Sequence, residues 1–396
     1  MKKIAVFLFA AAIAVSLYYV CSHSGIISDI KDFNIVEFLN DEPDWDNVKV
    51  KELSIGSPVK YYFNHLGSKE KQAYNNILSE IGTMPESVKI PSLNETELTA
   101  VFEALLYDNP YLFFLGRNCT ITQEGLSCYF NPEYVMTSAE YSAKKKLLLE
   151  KSKKLIAGLG KKSEYETELF IHDYIVSNCS YVNNDREDES NAFGALINGK
   201  AACEGYSKAA KVLFDLAGIE CYVICGNSND YQALPESHMW NIVKIGGSYY
   251  HLDLTWDDPV TLYQTAANDP LYIYFNITDK EISKTHSDFK SANPCTAAEY
   301  NYFTHENLYF TAYNSETRRE LAEKLAEAVN GGKKTLIFKF SSKAVYSAAF
   351  SGLFDNQQVY DIIKTADSGT GKDLSNASVS YIQNKNFNII ELFIKY

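Results

Sequence analysis

Three short segments supply residue types that together can perform nucleophilic catalysis. They are Ala201-Ala202-Cys203-Glu204-Gly205-Tyr206, Ser237-His238-Met239-Trp240-Asn241 and Leu252-Asp253-Leu254-Thr255-Trp256. A thiol attacks as its thiolate, a neighbouring histidine can move protons, and a carboxylate can hold that histidine in one orientation. The sequence therefore offers Cys203 as nucleophile, His238 as base and Asp253 as orienting residue.

Cys203 is expected in the first turn of a helix. Apolar side chains follow it at helical spacing as far as Leu216, and Gly218 stands where a helix commonly ends. The unpaired backbone N–H groups of a first helical turn stabilise negative charge, on a thiolate or on the oxyanion of a tetrahedral intermediate. The sequence does not identify a second oxyanion donor, for which Tyr181 is a candidate.

His238 and Asp253 are expected on the two strands of one β-hairpin. Gly246-Gly247 lies between the strands and suits the positive φ angles of a tight turn. If the residues flanking this turn pair with each other, Asp253 lies opposite Trp240 and one diagonal step from His238 on the same face. A carboxylate there would fix the imidazole tautomer and stabilise the charged ring.

The ordered segments resemble the transglutaminase-like superfamily of papain-type thiol enzymes, and secreted bacterial members in particular. The shared pattern is a Gly/Cys helix start, a His-x-Trp strand and an Asp-x-Thr strand. The resemblance extends over about Tyr165 to His286 and includes Gly194-Ala195-Leu196 and Trp256-Asp257-Asp258-Pro259. It implies a Cys203/His238/Asp253 triad. It leaves the substrate open, because the superfamily includes protein cross-linkers, peptidases, amidases and members without activity.

Each candidate residue also has an ordinary structural interpretation. A cysteine near a helix start is commonly a small buried residue, and Asp-x-Thr is common in turns and helix caps. Trp240 and Trp256 are expected to wall the substrate cleft and keep water from the ion pair, or else to be plain core. Only the ordered combination of the three segments is specific enough to indicate a catalytic site.

The remaining histidines fit a catalytic role less well than His238. His172 lies on a predicted helix and is interpreted as a structural or surface residue. His251 lies nearer the hairpin turn and is interpreted as a packing or rim residue. His286 and His305 show no partner pattern in the sequence.

The N-terminal segment and the charge balance bear on location and partners. Met1-Lys2-Lys3 precedes an apolar run from Ile4 to Val20, which is typical of an export signal that is either cleaved or kept as a membrane anchor. The net charge of the 396-residue chain is −13, and removal of residues 1–24, with two lysines and no acids, makes it about −15. We therefore expect an extracellular or cell-surface protein that binds no nucleic acid and contacts a membrane only through its N-terminal segment.

The cysteines indicate a free thiol and no resident metal. Seven remain without Cys21, so at least one must be unpaired or shared between chains, and Cys203 is the natural candidate. Cys119 and Cys128 flank a turn and could bridge a hairpin. No Cys-x-x-Cys pair or local His/Cys cluster indicates a metal site, and no cofactor is expected.

The pattern of elements predicts an α+β fold in three parts after the N-terminal segment. A mostly helical region, 25–160, precedes a catalytic domain, 161–290, with a papain-like or transglutaminase-like core, and a small α+β domain, 295–396, follows. Asn94, Ser163 and Ser315 are predicted helix caps. The stretch from Asp257 to Pro270 is predicted to be a loop near the cleft.

Two functions of different classes follow from these observations. One is an exported thiol acyl-transfer enzyme that cleaves or cross-links amide bonds of peptides, proteins or cell wall. The other is an inactive transglutaminase-like scaffold for surface adhesion or assembly, which fold alone would permit. An intact triad favours the enzyme. The sequence gives no indication of the oligomeric state.

Overall fold

The computed structural model describes residues 59–124, 127–182, 187–229, 236–259 and 269–396. All of them belong to one unit, Gly56–Tyr396. The predicted export segment, 1–24, lies outside the described residues and stays a prediction. Within the described ranges, no helix has both the length and the hydrophobicity needed to cross a membrane.

Helices and strands are mixed along the whole of the described chain. The described helices are α1 (Tyr61–His65), α2 (Ser68–Glu80), α3 (Glu95–Asp108), α4 (Ser138–Gly158), α5 (Glu164–Asn178), α6 (Cys203–Ala217), α7 (Asp279–Ile282), α8 (Tyr302–His305), α9 (Ser315–Asn330), α10 (Lys343–Phe350) and α11 (Gln358–Asp367). The described strands are β1 (Val88–Ile90), β2 (Leu115–Glu124), β3 (Ser127–Tyr134), β4 (Ser180–Tyr181), β5 (Lys200–Ala201), β6 (Cys221–Ser228), β7 (Glu236–Ile245), β8 (Ser248–Leu252), β9 (Phe275–Ile277), β10 (His286–Ser287), β11 (Tyr309–Phe310), β12 (Thr335–Phe340), β13 (Ser378–Asn384) and β14 (Ile389–Lys395).

The strands form three sheets and a short parallel pair. The first sheet has the order β1-β3-β2, the second β10-β6-β7-β8-β9 and the third β11-β12-β14-β13, while β4 pairs with β5. Helices lie before and between the strands of these sheets in sequence, so the predicted α+β class is confirmed. The division of the chain into separate domains stays a prediction.

Side-chain caps start several of the helices. Asn94 and Ser163 are N-caps with complete capping boxes, as their spacing to a following glutamate indicates. The predicted cap at Ser315 is wrong by one residue. Asn314 is the N-cap of α9, because its side chain accepts the backbone N–H of Thr317 and Ser315 is already helical.

The possible disulfide between Cys119 and Cys128 does not form. The register of β2 and β3 places Cys128 opposite Gln123 and Cys119 opposite Pro132, so the two cysteines are not cross-strand neighbours. The seven cysteines in the described ranges are all free thiols.

The central sheet and α6 form the core that positions the predicted site. Gly246 and Gly247 have φ angles of 58° and 87°, and the residues on either side of them pair, as predicted. Helix α6 packs on β6 and β7. The side-chain amide of Asn241 on β7 donates to the Ser207 carbonyl of α6 at 3.0 Å. This contact ties the helix that carries Cys203 to the strand that carries His238.

Candidate active site

Cys203 is the first residue of α6 and is half-buried. The N-cap is Ala202, and α6 begins without a side-chain cap, unlike α3, α4 and α5 with their capping boxes. The N–H groups of the first turn are therefore not occupied by a capping side chain. They stabilise negative charge where the thiol is placed, as expected from the sequence.

Gly205 lets the first turn of α6 approach the preceding chain closely. A Cβ at this position would lie 2.6 Å from both the Ala201 Cβ and the Glu189 carbonyl oxygen. The backbone N–H of Ala202 donates to that same carbonyl at 2.8 Å. The glycine two residues after Cys203 thus sets the position of the helix start, and with it the position of the thiol.

His238 connects Cys203 to Asp253. Its Nε2 atom donates to Asp253 Oδ2 with a separation of 2.7 Å, and the two side chains are 6% and 0% exposed. His238 also lies close enough to Cys203 for this side chain to raise the pKa of the ring. Because Nε2 faces Asp253, Nδ1 is the ring nitrogen left for the thiol. The structure therefore brings the three predicted residues together in the order cysteine, histidine, carboxylate.

The His238–Asp253 pair is charged. Burial opposes a charge on the ring, but the Asp253 carboxylate and Cys203 raise the pKa of His238 to about 10. Burial also opposes the charge of Asp253, yet His238 and a second histidine hold the pKa of this carboxyl well below its usual range. Both partners indicate an imidazolium–carboxylate pair at neutral pH. An imidazolium next to a thiol stabilises the thiolate.

The second histidine on the carboxylate is His286. Its Nε2 atom lies 3.0 Å from Asp253 Oδ2, while Asp253 Oδ1 accepts the backbone N–H groups of Thr255 and Trp256 at 3.0 and 3.1 Å. The interpretation of His286 as a residue without a partner was wrong. It lies 33 positions after Asp253 on β10, at the far edge of the central sheet, where local sequence patterns carry no signal.

The two tryptophans near His238 differ in their exposure to solvent. Trp240 is 1% exposed, and its ring stacks at 5.8 Å from the His238 ring. It therefore walls the ion pair from inside the core, which corrects its predicted place in the cleft. Trp256 is partly exposed, with its ring 6.1 Å from that of His238, and its contact with substrate stays a prediction.

Two other histidines are fully buried and bonded to carboxylates. His251 Nε2 lies 2.8 Å from Asp279 Oδ1, and His172 Nε2 lies 3.2 Å from Asp257 Oδ2. His251 is therefore a packing residue and not a rim residue. Asp257, the first residue of the predicted cleft loop, is buried in the core, while residues 260–268 of that loop lie outside the described ranges.

Tyr181 lies beside the nucleophile. It pairs with Ala201 in the parallel β4–β5 bridge, two residues before Cys203. Burial, followed by the nearby Cys203, Glu236 and Asp253 side chains, raises the pKa of Tyr181 to about 12. The phenol therefore keeps its proton near neutral pH and can donate a hydrogen bond in the region of the thiol.

Among the described residues, two groups of side chains have ligand atoms close enough to hold a metal ion, although sequence spacing did not indicate them. They are His238, Asp253 and His286, and His251, Asp279 and Cys295, with ligand atoms within 4.8 Å of one another in each group. In the second group Trp240 Nε1 donates to His251 Nδ1 at 2.9 Å, so His251 Nε2 carries the proton that Asp279 accepts. A metal on Nε2 would have to displace this proton. The hydrogen bonding of this group therefore does not fit a resident metal.

Residues 153–254 match the family model described as the transglutaminase-like superfamily. This segment contains Cys203, His238 and Asp253. The resemblance seen in the sequence is therefore confirmed over this part of the chain. The match supports a cysteine-type enzyme in general. A search of curated proteins found no significant match.

Solved structures show a partial likeness to the chain. A protein from Cytophaga hutchinsonii, provisionally assigned as a cysteine protease, is 13% identical over 35% of this chain and 61% of its own, with a TM-score of 0.25. A TGase is 16% identical over 52% of this chain and 57% of its own, with a TM-score of 0.26. A provisionally assigned protease from Parabacteroides distasonis is 17% identical over 35% of this chain and 30% of its own, with a TM-score of 0.22. The chain thus spans less than two thirds of each of these structures, and a likeness of this size says nothing about substrate.

Proposed function

We propose that this protein is an exported thiol-dependent acyl-transfer enzyme acting on amide bonds of peptides, proteins or cell wall. The observation that carries the proposal is the placement of the Cys203 side chain next to His238, whose ring is hydrogen-bonded to Asp253. The family match and the position of Cys203 at an uncapped helix start support it. Export rests on the N-terminal sequence pattern alone.

In the proposed reaction the Cys203 thiolate attacks the carbonyl carbon of the amide. A C–S bond forms, and the carbonyl electron pair moves to oxygen to give a tetrahedral oxyanion. As the oxyanion collapses, the C–N bond breaks and His238 gives its Nδ1 proton to the departing amine. The product of this half-reaction is a thioester between Cys203 and the acyl group.

The second half-reaction transfers the acyl group to an acceptor. Neutral His238 takes a proton from water or from a primary amine, which attacks the thioester carbon, and the C–S bond then breaks to restore the thiolate. Water as acceptor makes a peptidase or amidase, while a lysine amine makes a cross-linker. Asp253 holds the ring in one orientation throughout and balances its charge.

Two sets of donors are proposed for the oxyanion. One is the backbone N–H groups at the start of α6, which point along the helix axis toward the thiol end. The other is the phenol of Tyr181, whose strand is paired with the chain just before Cys203. Both donors are available without a cofactor.

The test is acyl-enzyme formation with p-nitrophenyl acetate, a small activated ester. We expect a burst of p-nitrophenol from the wild-type protein, with the acetyl group found on Cys203 by mass spectrometry. Cys203→Ala and His238→Ala should abolish the burst, while Cys119→Ser, which removes another free and half-buried thiol, should leave it unchanged. A burst that survives His238→Ala, or no burst at all, would contradict the proposal and favour the scaffold function.

If the wild-type protein shows the burst of p-nitrophenol, the acceptor of the acyl group can be identified next. Incubation with a protein substrate and a dansylated primary amine separates the two routes. Incorporation of the fluorescent amine indicates transamidation, and new peptide termini without incorporation indicate hydrolysis.

A further inference from the structure

We infer that His286 is a positioning residue, a neutral N–H donor that holds the Asp253 carboxylate in the orientation at which it binds His238. The inference rests on the proposed function of Cys203, His238 and Asp253. Its basis is a carboxylate oxygen shared by two imidazoles, Asp253 Oδ2, which lies 2.7 Å from His238 Nε2 and 3.0 Å from His286 Nε2.

The Asp253 side chain needs such a donor because strand pairing does not fix it. Strand β8 ends at Leu252, and the ladder between β8 and β9 shifts register at this end. Asp253 therefore lies just after the strand and directly before a turn, with its backbone N–H bonded to the Tyr274 carbonyl at 3.2 Å. The N–H groups of Thr255 and Trp256 hold its Oδ1 atom, and His286 is the donor that, with His238, fixes the direction of Oδ2.

The ring of His286 is itself held in one place. It is 2% exposed, and the rings of Trp240, Trp256 and Tyr274 surround it at centroid distances of 4.8, 5.0 and 5.7 Å. Its strand, β10, pairs with β6 on the side of β6 opposite to β7. A rigid ring of this kind can direct a carboxylate, whereas a mobile one cannot.

The contacts of both ring nitrogens select the tautomer of His286, and the Thr285 hydroxyl is closer to Nδ1 than to its other acceptor, the Ile282 carbonyl at 3.4 Å. The Thr285 hydroxyl oxygen lies 2.9 Å from His286 Nδ1. If this hydroxyl donates to Nδ1, the ring proton is on Nε2, where Asp253 accepts it. The opposite tautomer would place the lone pair of Nε2 against a carboxylate oxygen at 3.0 Å, which is repulsive. The neutral Nε2–H form is the one that fits both contacts.

The positive charge of the cluster resides on His238 and not on His286. The two rings are 5.3 Å apart around one carboxylate, so a second buried positive charge would have no partner of its own. The titratable groups that face His286 are Asp253, His238 and His251. Burial lowers the pKa of His286, and the charge of His238 lowers it further, while Asp253 opposes this shift. The charged ring is therefore the one that contacts Cys203.

The experiment compares His286→Leu, which keeps an apolar side chain in the space, with His286→Gln, which keeps an N–H donor. The readouts are the p-nitrophenyl acetate burst rate and the rate of Cys203 alkylation by iodoacetamide across pH. Because a hydrogen bond to a charged group is lost, we expect His286→Leu to lower both rates by about 10- to 100-fold near pH 6. His286→Gln should stay within about threefold of wild type, and alkylation of all three proteins should converge above about pH 10, where a thiolate no longer needs its partner.

The outcomes separate this inference from the proposed function. If His238→Ala impairs both reactions but His286→Leu equals wild type, His286 has no positioning role and the proposed function stands. If Leu and Gln are equally impaired, His286 acts through packing alone and the inference is overturned. If His238→Ala has no effect on either reaction, the proposed function itself fails.

Discussion

Two buried histidine–carboxylate pairs in the described part of the protein have a raised histidine pKa, His238–Asp253 and His172–Asp257, and they differ in what lies next to the second ring nitrogen. Nε2 of His238 binds Asp253 at 2.7 Å, and Nε2 of His172 binds Asp257 at 3.2 Å. Burial opposes a charge on each ring, yet the carboxylate partners raise the pKa to about 10 for His238 and about 9 for His172. By burial, hydrogen bonding and the raised pKa of the histidine, the two pairs look alike.

Their surroundings distinguish them. Nδ1 of His172 binds a second carboxylate, that of Asp173, at 2.9 Å, and its ring packs against Tyr272 and Phe275 at 5.2 and 5.1 Å. His238 instead turns its second nitrogen toward Cys203, a half-buried thiol. A buried histidine–carboxylate pair is therefore not by itself a sign of catalysis. What makes one of the two pairs a candidate catalytic pair is a nucleophile that solvent can reach.

The same substitution made in both pairs gives the largest expected contrast. Asp253→Asn removes the charge that stabilises the His238 imidazolium, and we expect the p-nitrophenyl acetate burst rate to fall by about 100- to 10,000-fold. Asp257→Asn should leave that rate within about threefold, because its histidine faces no nucleophile. Equal losses in the two variants, with both proteins folded by circular dichroism, would contradict the assignment of one catalytic pair.

A second contrast separates stabilisation of the transition state from activation of the thiol. Tyr181→Phe removes a proposed oxyanion donor, so the burst rate with p-nitrophenyl acetate should fall by about 10- to 1,000-fold. Alkylation of Cys203 by iodoacetamide forms no oxyanion, and its rate should be unchanged. A parallel loss in both reactions would mean that Tyr181 only maintains the local structure.

The His172 pair is expected to act on stability. Its histidine has a pKa of about 9 in the folded protein, above the ordinary value of 6.5. The positive charge of His172 therefore contributes fully to the free energy of unfolding below about pH 6.5. This contribution is lost as the pH rises through about 9. Burial raises the pKa of Asp257 to about 6, which leaves the pair ionised between these values. The difference in unfolding free energy between wild type and His172→Gln should thus shrink by about 3 kcal/mol from pH 6.5 to 9.5, as measured by urea denaturation. A difference that is constant or grows with pH would contradict this pairing.

The smallest effect is expected at a third pair, which reaches the site only through a tryptophan. Asp279 orients His251, and His251 accepts the indole N–H of Trp240, whose ring stacks on His238. Asp279→Asn keeps a hydrogen-bond acceptor at a position that is 40% exposed, so we expect the burst rate to change by no more than about threefold. A loss comparable to that of Asp253→Asn would show that this pair belongs to the catalytic machinery.

Local patterns were sufficient to predict the elements that hold the candidate site. The capping residues Asn94 and Ser163, the two-glycine turn and the helix that begins at Cys203 all depend on neighbours a few positions away. The hairpin register followed from the turn, and it placed Asp253 within reach of His238.

The partners that the sequence did not reveal come from distant parts of the chain. His286 reaches Asp253 from an edge strand of two residues that has no periodicity to detect. The burial of Trp240 depends on how β10 and β6 close over it, and Gly226 permits that closure, because a Cβ there would lie 2.8 Å from the Trp240 ring. Both features are set by tertiary packing. Spacing along the sequence therefore identifies the candidate nucleophile, base and orienting residue but not the groups that hold them.

The central claim is that Cys203 and His238 form a thiolate–imidazolium pair. The most direct test is the rate of iodoacetamide alkylation of Cys203 against pH, in wild type and in His238→Ala, with the labelled residue identified by mass spectrometry. We expect fast labelling that persists well below pH 7 in wild type and is lost in the variant. Slow labelling that rises only near about pH 8.5 and is the same in both proteins would show an ordinary thiol and contradict the account.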